Sequence, residues 1–506
     1  MMQRKPIGWS KLESSRICMG NGISVKKLFQ GLDVEIKGCK DLEVTGMCSH
    51  SKFVAPGNLF VAKKGASFDA TEYIPDAASA GATAILTDLY NPFLEGPVQV
   101  IHPHPQEIEA EIADRFFRYP SQELFLIGIT GTNGKTTTAY LIHHILTRKE
   151  SPCGLMGTIE TMIGQHRIPS ELTTADIVTN QKFLREMRDQ GAENGVMEVT
   201  SHALEQGRVT GLDFDMGIFT NFSQDHLDYH GTMEKYLAAK AKLFKLIDAP
   251  EKIAVLNADD PFSLQAFGAS HAKAVTFGIK SAADYQAKEI QWNLEGAVFT
   301  LAYQGKERRF KMPLIGDFNV LNTLAAIAAC HQRGMSFEQI QRRLATFPGI
   351  PGRLERIQND LGIHLLVDFA HTAEALEKVL SLLTQVKEKK ILTIFGCGGD
   401  RDPSKRPKMA AAVEKFSDHV ILTSDNPRSE DPMEICLGAA KGIQEPQKLV
   451  IEVDRKKAIA KGIEMAKPGD VVLIAGRGHE PFQKIGGRLI PFDDREVARE
   501  ICNHSP

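Results

Sequence analysis

A glycine-rich segment between an apolar run and a helical stretch has the residue types of a phosphate-binding loop. It reads Gly-Ile-Thr-Gly-Thr-Asn-Gly-Lys-Thr-Thr over Gly128–Thr137, with its first glycine one place before the strict Walker spacing. Glycines let backbone N–H groups close around phosphate oxygens, and the N-terminus of the following helix favours negative charge. Lys135 is placed to reach the β- and γ-phosphates and the Thr136 hydroxyl to bind Mg²⁺. The segment predicts a nucleotide site formed by Gly131, Thr132, Asn133, Gly134, Lys135, Thr136 and Thr137.

Two further polar clusters each follow an apolar run. The first, Met197–Leu204, places the Glu198 carboxylate where a Mg²⁺ ion on the phosphates would lie. The second, Thr220–His230, carries His226 and His230 four residues apart, a spacing that zinc sites use. No glutamate follows the first histidine as the H-E-x-x-H motif requires, so helix-capping or surface roles are favoured over catalytic zinc.

The elements that must position these residues are short aliphatic runs, each ending in a polar loop before a helical stretch. The runs expected as strands are Leu59–Ala62, Ala84–Thr87, Leu124–Thr130, Val196–Val199, Gly217–Thr220, Ile253–Leu256, Leu365–Asp368, Leu392–Phe395, Val420–Thr423 and Val471–Ala475. Strands alternating with helices predict parallel α/β sheets, in which ligands bind beyond the carboxyl ends of the strands. The alternating run Ala297–Met312 instead predicts an antiparallel hairpin about Gln304-Gly305. A helix is expected over Thr138–Lys149, after the phosphate loop.

Length and composition shifts predict the domain organisation. At roughly 150 residues per domain, 506 residues predict about three domains. Residues 1–22 are expected to be a disordered extension, and 23–118 a small α/β domain followed by a linker at Arg118–Ser121. The prolines and glycines of Phe347–Gly352 stop any helix, so a second boundary is expected there. The remaining domains are then residues 119–347 and 348–506.

Composition excludes several classes of protein. A net charge of −3 lacks the basic excess of a nucleic-acid binder. No apolar run approaches the roughly 18–20 residues that a membrane helix needs, and no secretory signal is evident. Eight scattered cysteines without a C-x-x-C pair favour reduced thiols, with Cys397 a small buried residue. We expect a soluble cytoplasmic protein without nucleic-acid partners or membrane insertion.

The order of the motifs resembles that of the Mur ligase family from about Ile23 onward. The motifs are Gly128–Thr137, Glu198–Leu204, Asn221–His230, Ala239-Lys240, Leu256–Asp260, Gly316–Asn322, Pro351–Glu355 and Asp368–Thr372. These ATP-dependent ligases join amino acids to the UDP-N-acetylmuramoyl peptide precursor of peptidoglycan. The resemblance implies a central P-loop parallel-sheet ATPase domain, a small N-terminal α/β UDP-binding domain and a C-terminal Rossmann-like domain. It also implies motion about the boundary near Phe347–Gly352.

Three later clusters resemble those of family members that add meso-diaminopimelate to UDP-N-acetylmuramoyl-L-Ala-D-Glu. They are Gly396–Pro407, Asp425–Arg428 and Gly476–Glu480. Diaminopimelate carries a far carboxylate that the Arg428 guanidinium can hold bidentately, whereas lysine presents an ammonium that it would repel. The resemblance implies diaminopimelate contacts from Arg401, Asp425, Asn426, Pro427, Arg428, Gly476 and Glu480.

The family mechanism is acyl-phosphate formation on the D-glutamate carboxylate, followed by attack of the diaminopimelate amine. By resemblance, Thr136 and Glu198 hold one Mg²⁺ and His226 helps to hold a second. Lys240 matches the lysine that the family carbamylates, and the carbamate suits a hard cation. Taken alone, Lys240 would be a solvated helix lysine like its neighbour Lys242. The implied catalytic set is Lys135, Glu198, His226 and Lys240.

The remaining contacts are also implied by the resemblance. Asn319, Arg353 and Asp368 correspond to the adenine, phosphate and ribose sides of ATP. The UDP-sugar peptide is matched by Ser51, Thr173, Thr174, Ser201, Gln206 and Arg208. Asp225, Asp228 and Asp402 are favoured as loop caps over ligands.

Three alternatives remain open beside a monomeric diaminopimelate ligase. The sister ligase that adds L-lysine is disfavoured by Arg428. A folate polyglutamate synthetase would share the central loop but lack the first domain. From another class, the chain could be a catalytically idle scaffold of wall synthesis, which the intact Lys135, Glu198, His226 and Lys240 disfavour.

Overall fold

A computed structural model describes residues 22–64, 69–268 and 270–504. The chain forms two compact units, here called the first unit (Met1–Gln286 with Leu321–Ile340) and the second unit (Ala287–Val320 with Gln341–Pro506). Residues 1–21 of the expected N-terminal extension lie outside the described residues. The division into three domains stays a prediction.

The first unit begins with a small five-stranded sheet. The elements of this region are β1 (Ile23–Ser24), α1 (Val25–Leu28), β2 (Glu35–Lys37), β3 (Glu43–Val44), β4 (Gly46–Cys48), β5 (Asn58–Val61), α2 (Ile74–Ser79), β6 (Ala84–Thr87), β7 (Val98–Ile101) and α3 (Pro105–Phe117). Strands β1 and β3 form a separate antiparallel pair. The strand order is β2-β7-β6-β5-β4, and all neighbours are parallel except the β2–β7 pair. A short 3₁₀ turn, Ser51–Phe53, follows β4 and carries the expected uridine-side residue Ser51.

The phosphate loop connects a strand of a larger sheet to the helix that follows it in the first unit. The elements of this region are β8 (Phe125–Thr130), α4 (Lys135–Leu146), β9 (Cys153–Met156), β10 (Glu160–Ile163), β11 (His166–Pro169), α5 (Ile177–Asp189), β12 (Asn194–Glu198), α6 (Ser201–Glu205), β13 (Met216–Phe219), α7 (Leu227–His230), α8 (Met233–Leu246), β14 (Ile253–Asn257), α9 (Ser263–Phe267), β15 (Lys273–Gly278) and β16 (Tyr285–Asn293). The order β9-β12-β8-β13-β14-β15 is parallel throughout. Leu126, Ile127 and Ile129 of β8 are fully buried, as expected of a parallel strand covered on both faces.

The second unit contains a hairpin and a doubly wound sheet. Its elements are β17 (Gly296–Tyr303), β18 (Lys306–Met312), α10 (Asp317–Gln332), α11 (Phe337–Leu344), β19 (Glu355–Ile357), β20 (His364–Asp368), α12 (Ala373–Val386), β21 (Ile391–Cys397), α13 (Lys405–Glu414), β22 (His419–Ser424), α14 (Pro432–Ala440), β23 (Leu449–Ile451), α15 (Arg455–Met465), β24 (Val471–Ala475), β25 (Phe482–Ile485), β26 (Arg488–Pro491) and α16 (Asp494–His504). The order β20-β24-β21-β22-β23 is parallel, with β19 antiparallel at the edge. Strand β16 and helices α10 and α11 each run from one unit into the other along the chain, and residues 321–332 of α10 belong to the first unit.

The predicted α/β fold class is confirmed, and the strands agree with prediction to within a few residues. The hairpin pairs Tyr303 with Lys306 around Gln304 and Gly305, both of which have positive φ. The helix after the phosphate loop begins at Lys135 rather than Thr138 and ends at Leu146. That start was predicted wrongly because Lys135, Thr136 and Thr137 are already helical and only residues 131–134 form the turn.

Two expectations about cysteines and membranes can be compared with the described part of the chain. Its cysteines, residues 39, 48, 153, 330, 397, 436 and 502, are free thiols. Cys397 is buried at the end of β21, and burial raises the pKa of its thiol to about 12. In the described part of the chain, no helix is both long and apolar enough to cross a bilayer.

Candidate functional site

The phosphate loop is a tight turn that only glycine can form at two positions. Gly131 and Gly134 have φ of 143° and 85°. A Cβ on Gly131 would collide with the Thr220 hydroxyl, and one on Gly134 with the Asn322 side-chain oxygen. The backbone of the loop is therefore pressed against neighbouring polar groups, which fixes its course.

A segment after β13 holds the loop through hydrogen bonds. Thr132 N donates to Asn221 O at 2.8 Å, and Asn133 N donates to Asn221 Oδ1 at 2.9 Å. Asn221 Nδ2 and the Thr220 hydroxyl both donate back to Asn133 O, at 3.0 and 2.6 Å. Because β8 and β13 are parallel neighbours, the loops at their carboxyl ends meet and stabilise each other.

Two lysines converge on one carbonyl of this loop. Lys135 Nζ donates to Gly131 O and Thr132 O, each at 2.9 Å, and Lys240 Nζ donates to Gly131 O at 2.7 Å. Lys240 is 1% exposed, and its ammonium lies 4.4 Å from the centre of the Tyr236 ring. Burial, together with the charge of Lys135, lowers the pKa of Lys240 well below its ordinary value.

The burial of Lys240 rules out one of the two interpretations of its side chain. Its neighbour Lys242 lies at the surface and donates to Glu205 at 2.7 Å. The interpretation of Lys240 as a solvated helix lysine is therefore wrong. An amine that is buried beside a second ammonium is held toward its neutral, nucleophilic form.

The Glu198 carboxylate lies at the end of β12, beside the start of α4. It is fully buried and accepts from the Thr136 hydroxyl at 2.8 Å. It also accepts from Thr158 N at 2.8 Å and from the Thr158 hydroxyl at 3.0 Å. A buried carboxylate held by hydroxyls is a hard oxygen site, so these residues fit a Mg²⁺ ion carried by nucleotide phosphates.

The histidines after β13 form an aromatic cluster with His202 of α6. The His202 ring lies 4.8 Å from that of His226 and 5.3 Å from that of His230. His230 Nε2 is 3.0 Å from the Ser201 hydroxyl, and burial lowers its pKa. Within residues 22–64, 69–268 and 270–504, no group of three or more His, Cys, Asp or Glu side chains is arranged for a shared metal ion.

A chain of polar groups connects Glu198 with the residues expected to bind the peptide. The Thr158 hydroxyl lies 3.2 Å from that of Thr173, and the Thr174 hydroxyl donates to Glu198 O at 2.8 Å. Arg208 donates to Thr174 O at 3.0 Å and to Gln206 Oε1 through two nitrogens. The structure thus brings together the Thr pair, Gln206 and Arg208 at one edge of the sheet.

Ser51 lies on the smaller sheet and is half-buried at the start of its 3₁₀ turn. The preceding Ser49 donates to Asp176 Oδ1 at 3.2 Å, and Asp176 caps α5 through Thr179 N. The loop of Ser51 is therefore anchored to the helix that follows the Thr173-Thr174 pair.

In the second unit, Asp368 organises the turn that carries Arg353. Its two carboxylate oxygens accept from Leu354 N at 2.7 Å and Ala370 N at 2.8 Å, and burial raises its pKa. The Arg353 guanidinium lies 5.0 Å from the centre of the Phe369 ring. Asn319, at the start of α10, donates to Ile315 O at 2.9 Å. The expected ATP residues are thus on both units, with Asn319, Arg353 and Asp368 on the second.

The residues expected to bind diaminopimelate lie on three neighbouring loops at the carboxyl ends of β21, β22 and β24. Asn426 Nδ2 donates to Glu480 Oε2 at 2.9 Å. Gly476 has φ of 112°, and a Cβ there would lie 2.7 Å from Asp425 Oδ2, a buried oxygen with no hydrogen-bond partner. Burial raises the pKa of Asp425. Because a buried polar atom normally has a hydrogen-bond partner, this oxygen is a candidate acceptor for a bound group.

Arg428 is held at the rim of the same loops. Its backbone has φ of 52°, its N–H donates to Lys484 O at 2.9 Å, and its guanidinium donates to Gly399 O. A Cβ on Gly399 would collide with Pro427 O, so the two loops approach closely. Arg401 is exposed on the same loop as Gly399. Asp402 caps Ser404 N at 3.0 Å.

Two domain families match the chain directly. The Mur ligase middle domain matches residues 129–330 and the Mur ligase, glutamate ligase domain matches residues 352–478. UDP-N-acetylmuramoyl-L-alanyl-D-glutamate--2,6-diaminopimelate ligase of Chlamydia pneumoniae is 40% identical over 484 residues, covering 95% of this chain and 99% of that protein. The chain belongs to the Mur ligase family. The ligase of the same description from Aquifex aeolicus is 42% identical and covers 90% of this chain and 93% of its own.

Solved structures agree with this membership of the Mur ligase family. A structure of UDP-N-acetylmuramoyl-L-alanyl-D-glutamate--2,6-diaminopimelate ligase is 33% identical, has a TM-score of 0.70 and covers 95% of this chain and 99% of its own. Folylpolyglutamate synthase of Mycobacterium tuberculosis is 18% identical, has a TM-score of 0.57 and covers 79% of this chain and 96% of its own. The likeness to folylpolyglutamate synthase shows only that the fold is shared.

Sequence reasoning on this Mur ligase missed two residues of the site. Thr158 donates twice to Glu198 but follows β9 outside every motif that the sequence analysis used. Arg477, between Gly476 and Gly478, is fully buried and donates to Asn426 Oδ1 at 3.0 Å. The signal that could have found Arg477 is its position inside the Gly476–Glu480 cluster, whose flanking residues alone were assigned.

Proposed function

We propose that this chain is an ATP-dependent ligase that adds meso-diaminopimelate to UDP-N-acetylmuramoyl-L-alanyl-D-glutamate in peptidoglycan precursor synthesis. The observation that carries the proposal is the pair of sites described above: the phosphate loop with Glu198, and the loop cluster with Arg428. The names of the relatives, at about 40% identity over nearly the whole chain, support the same substrates.

The phosphate loop supplies binding and charge for the activation of the D-glutamate carboxylate. Gly131 and Gly134 leave backbone N–H groups for phosphate oxygens, and Lys135 moves from its loop carbonyls to the β- and γ-phosphates. Thr136 and Glu198 would hold a Mg²⁺ ion, which neutralises phosphate charge when it is bound. Fixed donors and a positioned carboxylate suit phosphoryl transfer, because it depends mostly on positioning and charge neutralisation.

Lys240 carries a carbamate in the active enzyme under this proposal. Its amine is buried and its pKa is lowered, which favours the neutral amine that reacts with carbon dioxide. Formation of the N–C bond releases one proton and leaves a carboxylate on the side chain. A hard cation beside Glu198 and His226 would then have oxygen ligands in place of an ammonium.

Arg428 supports diaminopimelate over lysine as the amino acid. One N–H of the guanidinium is engaged by Gly399 O, which fixes the plane of the fork and leaves further donors for a carboxylate. Glu480 supplies negative charge for an ammonium group of the substrate, and Asp425 Oδ2 offers a buried oxygen that has no other hydrogen-bond partner. A lysine substrate would bring its terminal ammonium toward Arg428 and be repelled.

The remaining assignments follow from the proposed reaction. Ser51, Thr173, Thr174, Ser201, Gln206 and Arg208 are assigned to the UDP-sugar peptide, and Asn319, Arg353 and Asp368 are assigned to ATP. The enzyme is assigned to the cytoplasm, because its nucleotide substrates are made there, and it is proposed to act as a monomer.

Phosphate release from ATP tests the proposal. The purified chain is assayed with UDP-N-acetylmuramoyl-L-Ala-D-Glu and Mg²⁺, adding meso-diaminopimelate, L-lysine or no amino acid. Release that depends on diaminopimelate alone is the expected result. Release that depends on lysine instead would support a ligase but overturn the role of Arg428. No phosphate release under any of the three conditions would favour an idle scaffold. Glutamate addition to a folate in place of these substrates would favour the polyglutamate synthetase.

A further inference from the structure

A cluster of buried charges lies beneath the loop Gly476–Glu480 in the second unit. Arg455 and Asp494 form a two-pronged ion pair, with Arg455 Nε and Nη2 each 2.7 Å from a carboxylate oxygen. The Arg477 guanidinium lies beside this pair, with its Nε 3.9 Å from Asp494 Oδ1. All three side chains are excluded from solvent. A buried cation is costly unless its charge and its donors are matched, so the contacts of Arg477 need an explanation.

The two terminal nitrogens of Arg477 serve different structures. The two hydrogens of Nη2 are shared among three carbonyls, Phe482 O at 2.9 Å, Phe492 O at 3.1 Å and Glu480 O at 3.3 Å. These bonds hold the backbone on either side of the β25–β26 hairpin. Nη1 instead donates to Asn426 Oδ1 at 3.0 Å and lies 3.8 Å from Glu480 Oε2. Nη2 therefore holds the backbone of the hairpin, whereas Nη1 contacts side chains of the loops assigned to diaminopimelate.

The contact with Arg477 fixes the orientation of the Asn426 amide. Lys484 N also donates to Asn426 Oδ1, at 2.8 Å, so two donors meet at this atom. Only the oxygen end of an amide can accept them, because the NH₂ end has no acceptor. The NH₂ end must then point to the opposite side, where it donates to Glu480 Oε2 at 2.9 Å.

We propose that Arg477 is a positioning residue for amino-acid recognition, which fixes the Asn426 amide and through it the Glu480 carboxylate. The inference rests on the function proposed above. Arg477 is fully buried, so it acts through these two side chains. Lysine cannot replace it, because a single ammonium on a flexible stem cannot reach Asn426 and the three carbonyls together.

The Arg477→Lys variant of the full chain tests this role. The KM for diaminopimelate is expected to rise at least tenfold, with the KM for ATP and for the UDP-linked substrate changed by less than twofold. Arg455→Lys is the matched control, because Arg455 is equally buried but donates to Asp494, Ser424 O and Ala475 O. That control is expected to lower the thermal midpoint without a selective rise in the KM for diaminopimelate.

A double-mutant cycle separates positioning from a general loss of structure. If Arg477 acts through Asn426, the double variant Arg477→Lys/Asn426→Ala has the same KM for diaminopimelate as Asn426→Ala alone. If the two substitutions multiply their effects on the KM for diaminopimelate, the proposal is overturned. Equal rises in the KM values for diaminopimelate, ATP and the UDP-linked substrate would also overturn it. If Arg477→Lys fails to fold, Arg477→Met takes its place in the cycle, since it leaves the Arg455–Asp494 pair whole.

The wild-type enzyme in the same assay separates this inference from the proposed function. Wild-type turnover that does not depend on diaminopimelate would overturn the function and the inference together. Diaminopimelate-dependent turnover with unchanged kinetics in Arg477→Lys would overturn the positioning role alone.

Discussion

Replacement of Arg428 by alanine removes the proposed partner of the far carboxylate of diaminopimelate. The change deletes the guanidinium that donates to Gly399 O but keeps the backbone bond from residue 428 to Lys484 O. The loop is therefore expected to stay folded. What is lost is the positive charge and the fork that faces the amino-acid site.

The magnitude follows from the burial of Arg428. Truncating one partner of a buried, hydrogen-bonded charge pair costs about 2–5 kcal/mol. Arg428 is only half-buried, and one donor is engaged by Gly399 O, so we expect the lower part of that range. A loss of about 2–3 kcal/mol is about a 30- to 140-fold fall in kcat/KM, at 1.4 kcal/mol per factor of ten.

Steady-state phosphate release with varied diaminopimelate measures this loss. Arg428→Lys keeps the charge without the fork and should fall between the wild type and Arg428→Ala. Arg488→Ala, at an exposed position of β26, is a matched control that should behave as the wild type. Unchanged kinetics for diaminopimelate in Arg428→Ala, or an equal loss with ATP as the varied substrate, would refute the assignment of Arg428.

Three further changes test other parts of the site. Lys240→Ala should lose activity that a short carboxylic acid restores, while Lys242→Ala, on the same helix, should stay active; full activity of Lys240→Ala without the acid would contradict the carbamate. Glu198→Gln keeps the shape of the side chain but not its charge, so kcat should fall on the order of 100-fold with an unchanged thermal midpoint; a fall below tenfold would remove Glu198 from the metal site. Burial lowers the pKa of His479 to about 4, so the unfolded chain binds more protons between about pH 4 and 6.5. The free energy of unfolding, measured by urea titration, should therefore fall as the pH drops through that window, by at most about 3 kcal/mol. The fall should be smaller in His479→Gln than in the wild type, and an equal fall in both proteins would contradict the prediction.

The sequence predicts the parts of the site that repeat a local pattern. The glycine turn before Lys135 and the carboxylate at the end of β12 could both be placed, because each depends on a strand followed by a loop. The hairpin about Gln304-Gly305 was predictable for the same reason. These features depend on a few neighbouring residues, so no knowledge of the tertiary fold is needed.

Burial and long-range contacts could not be predicted in this way. Lys240 and Lys242 are alike in the sequence, and only the packing of α8 shows that one is buried and the other exposed. Thr158 reaches Glu198 because β9 and β12 are adjacent in the sheet, which the order of the strands along the chain does not reveal. Arg477 depends on a hydrogen bond to a residue 51 positions away.

The order of the strands explains why distant motifs meet in one place. Strand β8 lies between β12 and β13, so the phosphate loop has Glu198 on one side and Thr220 on the other. In a parallel sheet the carboxyl ends of adjacent strands lie at the same edge, and the loops that follow them share one cleft. The second unit repeats this arrangement, since β24 lies between β20 and β21 and brings Asp368 beside the Gly476 turn. The pattern of strand ends therefore determines which loops meet, and the buried charges beneath them determine how their side chains are oriented.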